Sequence, residues 1–238
     1  MRYSNSKWSL RLSAAIVALA VSYYATTSAD AQTHYHSNVA LGVRGGFDMS
    51  RVFFNPSVPQ GFAPGGVAGV TFRYIEENHF GLIAELNFTR RGWKESFENA
   101  PQYQYTRHID YLSLPVFAHI YFGRRGRFFF NAGPEFSLFL GESTSTNFSP
   151  AEIPDLPDFP IRYRTIAQMS TPVSQKFDYG ISAGLGGEFN IDRRNSVAIE
   201  ARVYYGLGNI FPSGRRDTFS GSNQMTISAT AAYWFKIK

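Results

Sequence analysis

The chain has 238 residues, no cysteine, and 23 Lys and Arg against 18 Asp and Glu, a formal net charge of +5. The absent thiol excludes a disulfide framework, thiol catalysis and a lipid anchor on an N-terminal cysteine. Aromatic residues, at 16%, nearly equal the charged residues, at 17%; this balance suits a membrane barrel with aromatic girdles or a secreted β-sandwich.

Residues 1–31 read as a secretory signal peptide. Arg2, Lys7 and Arg11 make a positive start, residues 12–24 a short apolar run, and Ala29-Asp30-Ala31 a small-x-small cleavage site. The expected mature chain is 32–238. Its apolar stretches never reach the roughly 18–20 residues of a transmembrane helix. His34 and His36 follow at once, but two imidazoles do not close a metal site. No metal and no cofactor are expected. The remaining cations are scattered or sit in turns, so the charge does not point to a nucleic-acid partner.

Period-two alternation then recurs through eight segments, and it means strands, because successive side chains point to opposite faces. In residues 39–49, Leu41, Val43, Phe47 and Met49 share one face, and Arg44 and Asp48 the other. Residues 50–64 hold three prolines and read as a loop. Residues 66–74 and 80–89 are the next strands, joined by the short polar turn Glu76-Glu77-Asn78. Residues 90–107 are polar and read as a second long loop.

Two long runs follow, with Leu112, Leu114, Val116, Ile120 and Phe122 on one face of the first. Phe128, Phe130, Phe136, Leu138 and Leu140 share one face of the second. The turn between them is Gly123-Arg124-Arg125-Gly126. Residues 141–175 contain five prolines and exclude a central strand. Residues 177–189 and 197–207 are strands about the turn Asp192-Arg193-Arg194-Asn195. Residues 208–223 form a fourth long loop, and 225–237 the last strand.

Long and short connections alternate strictly. That asymmetry is typical of transmembrane barrels, which have short periplasmic turns and longer external loops. The expected fold is therefore all-β: an eight-stranded antiparallel up-and-down transmembrane β-barrel. An even strand number and closure leave no edge open to lipid. One face of the strands is apolar, while the other carries Arg44, Arg73, Glu85, Glu135, Glu188, Glu200 and Arg202, together with Asp48 and Asp178. An Arg or Lys at the bilayer midplane costs about 2–4 kcal/mol, so the charged face must line the lumen.

An eight-stranded barrel is just wide enough for side chains to fill. Arg44, Glu85, Glu135, Glu200 and Arg202 fall near mid-height, where they are expected to pair and plug the lumen; the competing reading is an ion path lined by the same groups. His108 and Asp110 share a face at the outer rim, as acid–base work would require, but no nucleophile motif accompanies them. The expectation is that the protein is not an enzyme. Tyr74, Tyr121, Phe122, Tyr205, Tyr233, Trp234 and Phe235 lie near strand ends and read as interface aromatics. Arg124, Arg125, Arg193 and Arg194 sit in periplasmic turns, near lipid headgroups or in solvent. In the third loop, Phe148, Ile153, Leu156, Phe159 and Ile161 pack over the mouth or dock a partner.

Several stretches also resemble a known family: GVRGGFDMS at 42–50, LIAELNFTRRGW at 82–93, DYLSLPVFAHIYF at 110–122, FNAGPEFSLFLG at 130–141 and YGISAGLGGEF at 179–189. Together they are similar to the PorT-like "porin family" outer-membrane barrels of Gram-negative bacteria. The resemblance implies an eight-stranded barrel in the cell outer membrane. One founding member is linked to protein secretion, which makes a secretion-associated or narrow transport role the alternative to a structural or loop-binding one. Expected partners are outer-membrane lipid, the barrel assembly machinery that reads an aromatic-rich last strand, and an extracellular or secretion-system protein.

Overall fold

The computed structural model describes residues 38–97, 100–124, 126–156, 159 and 166–237. The segment expected to be a signal peptide, His34, His36, Arg125 and Ile161 lie outside the described residues. Eight long strands form one closed antiparallel ring: β1 (Asn38–Asn55), β3 (Ala63–Glu77), β4 (Phe80–Glu95), β5 (Tyr105–Phe122), β6 (Gly126–Thr146), β7 (Phe177–Asn190), β8 (Asn195–Gly206) and β9 (Gly221–Lys236). A two-residue strand, β2 (Gln60–Gly61), pairs outside the ring with the end of β4. Each long strand bonds to its sequence neighbours, and β1 closes on β9 from Ala40↔Lys236 to Asn55↔Gly221. No edge of the ring is left unpaired, as a backbone in hydrocarbon requires.

The two faces differ as the alternation implies. On β1, Val43 is 57% exposed and Arg44 6%. Leu41, Phe47, Val70, Leu86, Leu114, Phe130, Leu185 and Ile199 continue the outward apolar band around the ring. Short turns close one end. Two of their residues need left-handed backbone: His79 at φ 71° and Gly123 at φ 104°. A Cβ on Gly123 would stand 2.2 Å from the Gly126 carbonyl oxygen, so that hairpin turn needs glycine.

The strands run well past the expected ends at the long-loop side. Residues 50–55, 90–95, 105–107 and 141–146 were expected in loops and instead extend β1, β4, β5 and β6. β6 alone has 21 residues. At about 3.3 Å per residue and a tilt near 40°, it rises on the order of 50 Å, against an apolar band about 25 Å tall. The barrel therefore projects beyond the bilayer.

In that projection the polarity inverts. Val52, Phe54, Trp93, Tyr105 and Ile109 point inward and are buried. Arg51, Lys94, Thr106, His108 and Asp110 alternate with them on the outside. Water replaces lipid around this part of the wall, so apolar residues gain by turning in. A β-bulge marks the change: Tyr111 pairs with Phe139 and Asp110 with Gly141, which leaves Leu140 as the extra residue.

The third long connection folds down onto the mouth. It contains a 3₁₀ turn (Pro150–Asp155) and a four-residue helix (Ala167–Ser170). Phe148, Ile153, Met169 and Val173 join Phe54, Trp93, Phe97, Phe211 and Phe219 in one buried cluster, with Leu156 and Phe159 packed against it. Of the two fates left open for this loop, packing over the mouth is the one observed.

Candidate functional site: the filled lumen

Alternation puts one inward side chain at every second position, and eight strands bring those side chains within reach of one another across the axis. The result is a stack of charged tiers. In the tier nearest the short turns, Arg73 on β3 donates both Nη groups to Glu188 on β7, at 2.7 and 3.0 Å. The Ser196 hydroxyl also donates to Glu188, and Arg127 stands 3.9 Å away. The Arg73 guanidinium lies 4.4 Å over the Trp234 ring.

The middle tier is centred on Glu85. It accepts from Arg44, from both Nη groups of Arg202 at 2.8 and 2.9 Å, and from the Asn87 amide at 2.8 Å. Arg202 also pairs with Glu200 at 2.8 Å, and Arg44 reaches Glu200 at 3.8 Å. Asn131 donates to Glu200 at 3.0 Å and bonds His119 at 2.7 Å. Two guanidinium groups thus face two carboxylates, and hydrogen bonds occupy further oxygens, which is how buried charge is tolerated. The void between this tier and the one below is about 20 Å³, the room one water needs.

Glu135 does not join the middle tier, contrary to expectation. It pairs one level higher with Arg91 and accepts from Ser182 at 2.6 Å. Arg91 packs 4.0 Å over the Tyr204 ring, whose hydroxyl donates to Asp178 at 2.7 Å. Above it, Arg107 binds Glu142 at 2.6 Å and the carbonyls of Gln168 and Thr171 at 3.0 and 2.8 Å. Arg107 thereby ties the third loop to the wall. Its guanidinium stands 5.5 Å over Trp93, at the floor of the aromatic cluster.

Arg91, Arg107 and Trp93 were missed because 90–107 read as loop. The signal was present: Arg91, Trp93 and Glu95 keep period two, as do Tyr105, Arg107, Ile109 and Tyr111. What hid it was the exchange of polar and apolar faces.

Two of the expected interface aromatics are placed otherwise. Tyr121 and Trp234 are each 5% exposed and point into the lumen, where Arg127 lies 4.9 Å over Tyr121. Parity decides this, since their neighbours Phe122, Tyr233 and Phe235 occupy the outward positions. Phe122, Tyr205, Tyr233 and Phe235 do face outward, with Tyr74 half-buried on the same surface.

His108 and Asp110 sit on the outer wall of the projecting zone. Both Asp110 oxygens are held by Arg90, at 2.7 and 2.9 Å. Burial, then the nearby Arg90, pushes the His108 imidazole below its ordinary value. His108 Nδ1 is buried without a partner and Arg90 takes both Asp110 oxygens, so the imidazole lacks the orienting bond that a catalytic base needs. The hydroxyls of Thr89, Ser113 and Ser137 bond one another at 3.1 and 2.9 Å, each held by a hydroxyl and not by an imidazole. Among the described residues no group of three or more His, Cys, Asp or Glu could hold a metal ion.

A family model described as "Outer membrane protein beta-barrel domain" matches residues 29–212. The chain belongs to this outer-membrane β-barrel family. It is located in the cell outer membrane, where its apolar band meets lipid. No curated protein matches the chain. Among solved structures it is similar to Ail, the attachment invasion locus protein of Yersinia pestis, at 16% identity and TM-score 0.39, over 83% of this chain and 99% of that one. It is also similar to OprG from Pseudomonas aeruginosa, at 10% identity and TM-score 0.47, over 86% and 98%. Neisserial surface protein A matches at 14% identity and TM-score 0.42, over 81% and 97%.

Proposed function

We propose that the protein is a non-enzymatic outer-membrane scaffold with a closed lumen, whose binding work is done at its projecting external end. Support comes chiefly from one observation: charged tiers cross the axis at successive heights, and the aromatic cluster caps them at the external mouth. A continuous water path would have to displace bidentate ion pairs and a packed apolar core. Arg44, Arg73, Glu85, Glu135, Glu188, Glu200 and Arg202 act in this reading as lumen filling, with Arg91 and Arg107 added to them.

Residues 1–31 serve as the export signal and are removed. The last strand is the element read by the barrel assembly machinery, and the external loops meet an extracellular or secretion-system protein, in keeping with the PorT-like resemblance. Single-channel recording in planar bilayers tests closure. The expected trace shows no steady conductance; large, stable, long-lived openings by the wild-type protein would refute it.

A further inference from the structure

The mouth at the short-turn end carries more positive charge than its own carboxylates neutralise. A cavity of about 150 Å³ opens there, between the β7–β8 turn, the start of β1 and the end of β9. Arg73 lies at its floor, Arg127 on its wall, and Arg193, Arg194 and Lys236 at its rim. Only Glu188 and Asp192 oppose them in the lining, so five cations against two anions leave a formal excess of +3.

Both carboxylates are already engaged. Glu188 is chelated by Arg73 and bonded by Ser196. Asp192 is turned back on its own turn: one oxygen accepts the backbone N–H groups of Arg194 and Asn195, each at 2.7 Å, and the other accepts the Asn195 side-chain amide at 2.7 Å. Arg127 comes no nearer than 3.9 Å to Glu188, and its Nε is buried without a partner. Among the described residues, Arg193, Arg194 and Lys236 form no ion pair.

Guanidinium forks match the oxygens of tetrahedral oxyanions, and a concave low-dielectric wall concentrates their field. The cavity is also roughly ten times the 10–15 Å³ that one water needs by the same measure, which leaves room for a phosphate group and water.

We propose that this mouth is an oxyanion site that takes a phosphate group, held by Arg127, Arg193, Arg194 and Lys236 over the Arg73–Glu188 floor. The phosphate comes either from a phospholipid headgroup at the inner face of the membrane or from a soluble phosphate ester. The site rests on the orientation that places the short turns in the periplasm, and it is independent of whether the lumen conducts.

Trp234 lines the cavity and reports its occupancy. The refolded barrel in phosphate-free, non-ionic detergent is titrated with sodium phosphate, and with sodium chloride at matched ionic strength, while tryptophan fluorescence is followed. A saturable change with phosphate and not with chloride is expected. The triple variant R193Q/R194Q/K236Q, altered at the rim only, is expected to weaken it about tenfold or more. Circular dichroism of that variant checks that the barrel still forms. Parallel titrations with short-chain phosphatidylglycerol and with glycerol 3-phosphate separate the sources: tighter binding of the lipid assigns the headgroup, and equal or tighter binding of glycerol 3-phosphate assigns the soluble ester. Identical curves for phosphate, lipid and chloride, or a triple variant that titrates like the parent, would overturn the site.

Discussion

Glu85→Gln is the substitution that most directly tests the middle tier. It keeps the shape of the side chain and removes one negative charge. Four bonds now converge on Glu85, from Arg44, Asn87 and both Nη groups of Arg202. After the change, Arg44 and Arg202 share Glu200 alone, and the tier goes from neutral to +1. Breaking a buried pair by removing one partner costs about 3–5 kcal/mol, mostly from the charge left behind. Glu200 remains 2.8 Å from Arg202 and 3.8 Å from Arg44, which puts the expected loss at the low end, about 3 kcal/mol. Adding Arg202→Met restores neutrality, because Arg44 and Glu200 are then left as a pair. The double variant is therefore expected to be more stable than Glu85→Gln alone by roughly 2 kcal/mol. Urea unfolding of the barrel in lipid vesicles, followed by tryptophan fluorescence, gives both numbers. A loss below about 1 kcal/mol for the single change, or a double variant whose loss is the plain sum of its two singles, would refute the account of the tier.

Other consequences are as direct. Val43→Arg places a cation on the lipid face and is expected to cost about 2–4 kcal/mol in vesicle unfolding, against little change for Thr106→Arg, at an outward position of the projecting zone. Trp93→Ala removes a ring that packs 5.3 Å from Phe54 and 6.0 Å from Phe211, and it is expected to cost about 3–5 kcal/mol, with amide exchange rising first in the third loop. The Asn195 side-chain amide, then the backbone N–H groups of Arg194 and Asn195, hold the Asp192 carboxyl below its ordinary 3.8. A depressed carboxyl supports the turn above pH 3.8 and loses that support as pH falls through the lower folded value. NMR titration of the Asn195 amide should show its midpoint below 3.8; a midpoint at or above it contradicts the turn geometry.

The fold was legible because one physical rule governs most of the chain. Within the bilayer an outward side chain must be apolar, so Leu41, Val43 and Phe47 alternate with Arg44 and Asp48 in plain sight. Strand order and closure followed from the loop lengths. The ends of the strands were hidden because the rule reverses there. In Arg91-Gly92-Trp93-Lys94-Glu95 the period persists, but the inward set mixes charge with an aromatic, and the run passes for a polar loop. Partner choice was hidden for a different reason. Alternation states which way Glu135 points but not its height, and strand tilt sets that height. It brings Glu135 to Arg91 and not to Arg44. Tyr121 and Trp234 show the opposite failure: the alternation already placed them inside, and grouping them by position near strand ends overrode it.

The reversal of polarity along single strands has a consequence for how the protein tolerates change. β4 and β5 obey opposite rules at their two ends, and the bulge at Leu140 of β6 lies opposite the change on β5. Inserting or deleting one residue in either strand flips every side chain on one side of the lesion. Greasy groups would then meet water above the membrane, or ionic ones would meet oil within it. A barrel ruled by one solvent can slide its register and bury the error at a rim. This one is pinned at a fixed depth by its own sequence, like a float marked with a waterline.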